Sequence, residues 1–174
     1  MNVPDFVPSG ENDPMKNRFI LLASMALLSI SAWSASAQKL AVFADKSFKP
    51  ALEEIAPIFA EKTGFEVQLS LGPSAALAER IIRAEVPPDV FFPASETAMQ
   101  LVMEKGLVDV ALKRNVLLMP AAEPTEEGVE PEPQYTSAAV LANAANRLQA
   151  MAYVEFLTSD EARAAFARQG FALP

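Results

Sequence analysis

Lys39-Leu-Ala-Val-Phe43 opens a unit that passes through Ser47, Pro50 and Gly64 and closes on Glu66-Val-Gln-Leu-Ser-Leu71. The first segment is an apolar run free of turn residues, the pattern of a buried strand. Ser47 and Pro50 then carry helix-start chemistry, and Leu52, Ile55, Ala56 and Phe59 recur at helical spacing. Gly64 stands where a left-handed cap would end that helix. The closing segment alternates polar and apolar residues and so reads as a second strand. Pro57 is the misfit: inside the helix it lacks an N–H and its ring crowds the preceding turn, so a kink costing about 3 kcal/mol is expected there.

The alternation of strand and helix continues. Gly72-Pro73 is a turn that delivers Ser74 to a helix expected over 75–84. After Pro87-Pro88, Asp89-Val-Phe-Phe92 is a third short strand, and a helix over about 96–105 follows it, stopped by Gly106, with Leu101, Val102 and Leu107 turned inward. Further strands are expected over 116–119 and 136–141. A helical pair then ends the chain, burying Leu148, Met151, Ala152 and Phe156 on the first helix and Ala162, Ala165 and Phe166 on the second. Thr158-Ser-Asp-Glu161 has the spacing of a capping box with Thr158 as the cap. The predicted fold class is therefore α/β, a largely parallel sheet flanked by helices in a single lobe.

With 174 residues, 51% hydrophobic and 21% charged, the chain has material for one globular core and not for two full domains. A net charge of −8 without any basic stripe argues against a nucleic-acid groove of clustered Lys and Arg. Histidine and cysteine are absent, which removes the usual zinc sites, thiol nucleophiles, disulfides and imidazole bases. Neither a metal nor a cofactor is expected. An enzyme is a distant reading as well: Gly72-Pro-Ser-Ala-Ala76 lacks the glycine spacing of a nucleophile elbow, and a serine triad of the common kind needs a histidine.

At the amino end, Met15-Lys-Asn-Arg18, the apolar run over 19–30 and the small residues Ala35-Ser-Ala37 follow the order of a secretory signal peptide, with cleavage expected after Ala37. Ser24, Ser29 and Ser31 interrupt the apolar run and leave it short of the ~20 residues of a membrane anchor. Residues 1–14 read as an upstream extension, so the start lies at Met1 or Met15. With no cysteine to take a lipid, the exported chain is expected to be soluble and periplasmic. Between Pro120 and Gln134, Glu123, Glu126, Glu127, Glu130 and Glu132 interleave with Pro124, Pro131 and Pro133. Like charges and proline favour an extended, solvated connector there, with an interaction tail as the other reading. The expected organisation is an upstream extension and signal peptide over 1–37, one lobe formed by 38–120 and 135–174, and an acidic, proline-rich linker over 121–134.

Ser47 and Ser74 share one design, since each follows a strand by a few residues and each stands at or near a helix start. Ligands of open α/β sheets bind beyond the carboxyl ends of the strands, where both serines should point. Helix starts also present unpaired N–H groups and the positive end of the macrodipole, so a small oxyanion gains hydrogen bonds there without a lysine. By residue chemistry alone, two plain N-caps are the competing reading.

Leu40-Ala-Val-Phe-Ala44 with Ser47, then Lys49-Pro-Ala-Leu-Glu-Glu-Ile55 and Phe59, resembles the opening of the periplasmic molybdate-binding proteins of ABC transporters. Ser70-Leu-Gly-Pro-Ser-Ala-Ala-Leu-Ala78 is similar to that family's second motif, Pro88-Asp-Val-Phe-Phe92 to its third and Glu104-Lys-Gly-Leu107 to the segment after it. The stretches 135–141 and 156–171, including Ser159-Asp-Glu-Ala162 and Gln169-Gly-Phe171, resemble its closing strand and helices. The likeness covers nearly all of the chain after 37 except the acidic linker.

The resemblance implies a binding component for molybdate or tungstate, with sulfate and phosphate as alternatives, working with an ABC permease of the inner membrane. It places Ser47 and Ser74 on the family's two oxyanion-binding serines of the first lobe, with Lys46 and Ala75 as additional candidates. The second lobe, with its remaining donors and a ligand tyrosine, would fall between Pro120 and Tyr135, where this chain has only the linker. Tyr135 matches the returning strand instead. Asp45-Lys46 replaces the small residues usual before the first serine and brings a carboxylate and an ammonium to the site. A one-sided site excludes water poorly and should bind weakly, or take its missing face from a second copy in a homodimer. The alternative reading is a degenerate or regulatory single-lobe protein that acts by protein interaction.

Overall fold

The computed structural model describes residues 39–85, 87–119 and 134–174. The signal peptide read over 1–37 and nearly all of the linker read over 121–134 lie outside the described residues. The described chain runs β1 (Lys39–Asp45), a 3-10 turn (Lys46–Phe48), α1 (Lys49–Thr63), β2 (Glu66–Gly72), α2 (Ser74–Ile82), β3 (Val90–Phe92) and α3 (Glu96–Glu104). A second 3-10 turn (Val110–Leu112), β4 (Arg114–Leu118), β5 (Tyr135–Val140), α4 (Arg147–Phe156) and α5 (Asp160–Arg168) complete it.

The strands form one sheet in the order β2-β1-β3-β5-β4. β1 pairs in parallel with both β2 and β3, as the strand–helix alternation predicts. β5 is the exception, antiparallel to both of its neighbours, so the sheet is mixed. The Met119 N–H donates to the Gln134 carbonyl at 2.7 Å, so the ladder extends past the end of β4 and the start of β5 together. β5 thus begins beside the end of β4 and must run back along it. A bulge interrupts this pair, because Asn115 faces Ser137 while Leu117 faces Thr136. The extra residue lets Val116 and Leu117, neighbours in sequence, both be buried.

The period of two sorts the central strands onto two faces. Leu40, Val42, Ala44, Val90 and Phe92 pack with Leu52, Ile55 and Phe59 of α1, Tyr153 of α4 and Phe166 of α5. Phe43, Phe91 and Ala139 pack on the other side with Leu77 and Ile81 of α2 and Met99 and Val102 of α3. Burial on both faces explains why β1 and β3 read as unbroken apolar runs.

Several local expectations change. α1 continues through Pro57, which is exposed; the hydrogen bond it forgoes is to the carbonyl of Glu53, also exposed, which water can satisfy. Gly64 does close α1, with φ of 76° in the left-handed region. α2 ends at Ile82, short of the expected 84. On α3 the inward stripe is Ala98, Met99 and Val102, and Leu101 is 39% exposed. On α4 only Phe156 of the expected apolar face packs inward, half-buried against Phe59, whereas Leu148 is 74% exposed, Met151 is 38% exposed and Ala152 is exposed. The buried stripe is Ala150, Tyr153, Val154 and Leu157. Both sets satisfy helical spacing, so periodicity alone cannot choose between them. At α5 the cap is Ser159, whose Oγ accepts from the Ala162 N–H, whereas Thr158 Oγ1 donates to the Glu155 carbonyl at 2.7 Å.

At the amino end of β3, Asp89 is buried and acts as a clip. Its Oδ2 accepts from the Ala41 N–H at 2.9 Å, and its Oδ1 accepts from the Asn146 N–H at 2.8 Å. Replacing Asp89 by alanine orphans these donors and should destabilise the fold by about 3 kcal/mol, read as a lower denaturation midpoint in urea. Tyr153 is the opposite case. Its hydroxyl is buried without a hydrogen-bond partner among the described residues, and burial pushes its pKa up. Tyr153→Phe keeps the ring edge-on to Phe59 and removes the orphaned hydroxyl, so stability should be unchanged or rise by about 1 kcal/mol in the same measurement.

Candidate functional site

β1 and β3 are neighbours in the sheet, yet the chain leaves β1 for α1 on one face and leaves β3 for α3 on the other. Such a divergence opens a crevice beyond the carboxyl ends of the two strands. Ser47 and Ser74 both reach that rim and meet at one group, the carboxylate of Asp45, the last residue of β1. Asp45 Oδ1 accepts from the Ser47 N–H at 3.0 Å and the Ser47 hydroxyl at 2.9 Å. Asp45 Oδ2 accepts from the Ser74 N–H at 2.9 Å and the Ser74 hydroxyl at 2.5 Å. Ser74 Oγ in turn accepts from the Ala94 N–H at 2.9 Å, which ties in the segment after β3.

The local reasons differ for the two serines. Ser47 lies inside the 3-10 turn that Asp45 caps and does not start α1, whose own cap residue Phe48 offers no side-chain bond. Ser74 is the first residue of α2, and Pro73 before it supplies no side-chain acceptor. The Ser74 N–H is therefore one of the orphan donors of that helix, and Asp45 satisfies it from another strand. Neither serine acts as an N-cap. Ser47 is exposed, whereas Ser74 is buried. Lys46 is exposed and takes no part in the ion pairs among the described residues. Ala75 is exposed in the first turn of α2, where its N–H has no partner within the helix.

Beside this node the rim carries two clefts. One, of about 430 Å³, is mainly apolar and lined by Ser47, Phe48, Ala94, Leu117, Thr136 and Phe171, among others. The other, of about 630 Å³, runs from Ala94 and Ser95 to Lys113, Asn115, Tyr135 and Ser137. Tyr135 thus opens β5 and lines the second cleft. Lys113 is already bound there to Glu96 at 2.9 Å.

Partial burial pushes the Asp45 carboxyl up, but the bonds from the Ser74 hydroxyl, the Ser47 N–H, the Ser47 hydroxyl and the Ser74 N–H outweigh it and leave its pKa below the usual carboxylate value. The sequence named both serines but not the organising role of Asp45. The signal was present, since an aspartate two residues before a serine after a strand is Asx-turn spacing. Ala94 gave no signal, because its contact is purely tertiary. In a carbon-detected NMR titration the Asp45 midpoint should fall below about 3.9, and the Ser47→Ala/Ser74→Ala chain should move it upward. The bonded carboxylate binds fewer protons folded than unfolded, so its contribution to stability is present above about pH 4 and lost as pH falls through the lower folded midpoint.

The sequence profile of the bacterial extracellular solute-binding proteins matches residues 40–130 and 115–172. The molybdate-binding protein ModA of Escherichia coli is 34% identical over 99 residues, which is 56% of this chain and 38% of that protein. The chain therefore spans well under half the length of the curated relative it matches. Among solved structures, a substrate-binding domain from Clostridium difficile assigned to a molybdenum ABC transporter superposes with a TM-score of 0.67 at 12% identity, covering 78% of this chain and 99% of that one. The periplasmic molybdate-binding protein of Azotobacter vinelandii gives 0.65 at 16% identity, covering 79% and 99%. These two likenesses concern the fold, whereas the profile spans the strands, the serine node and the closing helices alike: the chain belongs to the bacterial extracellular solute-binding protein family.

Proposed function

We propose that this chain is the extracytoplasmic binding component for molybdate- or tungstate-class oxyanions of an ABC transporter, with Ser47 and Ser74 as its donors and Lys46 and Ala75 at the margin of the site. The observation that carries this reading is the convergence of two hydroxyls and two backbone N–H groups on one carboxylate at the strand ends. Donors that hold a carboxylate suit another small anion, and neutral donors suit one whose charge is spread over several oxygens. Membership of a solute-binding family favours binding over catalysis, and the name of the Escherichia coli relative favours molybdate among the oxyanions. The same relationship supports an extracytoplasmic location and a membrane permease partner. The opposite face of the site, for which the sequence offers residues 121–134 or a second copy of the chain, determines how well water is excluded.

A second reading has its own support. All four donors are already bonded to Asp45, which suits a lobe that has kept its packing and lost its cargo. Calorimetry and thermal shift with tungstate, molybdate, sulfate and phosphate separate the two. The transport reading expects weak binding, with Kd on the order of 1 mM, or about −4 kcal/mol, and a Tm that rises with ligand. The Ser47→Ala/Ser74→Ala chain should lose both signals. A flat titration and an unmoved Tm at large oxyanion excess leave the second reading in possession.

A further inference from the structure

We propose that Asp45 is a resident anion: its carboxylate occupies the place of a free oxyanion among the Ser47 and Ser74 donors and so sets whether this chain takes one. The inference rests on the oxyanion reading of the site and adds the residue that controls it.

The stoichiometry comes first. Two oxygens of one carboxylate take two donors each, one backbone and one hydroxyl, from two separate segments. Two oxygens of a tetrahedral oxyanion would need the same four donors. Geometry comes second. Asp45 ends β1 directly opposite Gly72 of β2, so the carboxylate is delivered to the rim by the sheet register, at a local concentration no free solute reaches. Moving it aside also uncaps the 3-10 turn, because the Ser47 N–H loses its acceptor. Charge comes third. An incoming oxyanion meets a carboxylate of like sign, and the ion pairs among the described residues include no partner for Asp45. A dianion feels that repulsion more than a monoanion does.

The arrangement also satisfies the polar groups of the rim from within the chain. Ser74 is buried, and a buried hydroxyl and N–H left without acceptors would destabilise the rim. Asp45 supplies those acceptors from within the chain, so the lobe needs no ligand to be satisfied.

The test titrates sodium tungstate into the full chain and into its Asp45→Ala and Asp45→Asn variants by calorimetry, with circular dichroism to confirm folding. Asp45→Ala should bind at least 30-fold more tightly than the unchanged chain. Asp45→Asn should show a smaller gain, because its amide oxygen still accepts from one serine and keeps the turn capped. The Asp45→Ala/Ser74→Ala double variant should lose the gain, which places binding at these donors. If the unchanged chain binds and folded Asp45→Ala binds no better, the resident-anion inference is overturned while the oxyanion reading stands. If neither binds although both are folded, both ideas fall. Binding by the variants alone upholds the inference and assigns the native lobe to the second reading above. Should Asp45→Ala not fold, Asp45→Asn decides by the same comparison.

Discussion

The carboxylate of Asp45 is the constraint around which the rim of the sheet is organised. Three backbone segments leave the strands β1, β2 and β3 at that edge, and each carries an N–H that needs an acceptor. Asp45 bonds the first two directly, and Ser74 Oγ extends the network to Ala94 after the third. This works because the register sets Asp45 beside Gly72 and Ala44 beside Phe92, so the three exits lie within hydrogen-bond reach. A parallel sheet places its loops on one edge, and one acidic side chain can then serve several of them.

The opposite edge uses the same device. Asp89 accepts from the backbone of Ala41 and of Asn146, joining β1, β3 and the start of α4. Both carboxylates accept from neutral N–H and hydroxyl donors and, among the described residues, pair with no Lys or Arg, a solution suited to a chain with 22 acidic and 14 basic side chains. Between the two edges the apolar layers are continuous, and Phe48 stacks on Phe92 with ring centroids 4.4 Å apart directly beneath the serine rim. The residue next to Ser47 is therefore anchored in the core, and the turn that presents the serine has little freedom to drift.

The chain belongs to the solute-binding family and matches little more than a third of the length of a curated relative. Two lobes that close on a solute remove water and strengthen every donor they bring. A lone rim must hold its polar groups against solvent whether or not a solute is present. An internal carboxylate meets that need, as Asp45 does by accepting from Ser47 and Ser74.

The sequence by itself determined the order of the elements, the strand–helix alternation, the cap at Gly64, the two serines and the family resemblance. Each of these is written in local spacing or residue chemistry, where neighbours in sequence are neighbours in space. Tertiary structure alone decided the rest. The reversal of β5 depends on which strand it lies beside, and the inward face of α4 on which of two equally periodic stripes packs against the sheet. The bond from Ser47 to Asp45 is local, but those of Ser74 to Asp45 and of Ala94 to Ser74 link residues far apart in the chain. Hydrogen bonds and burial between distant segments are set by how layers stack, and no window of sequence contains both partners.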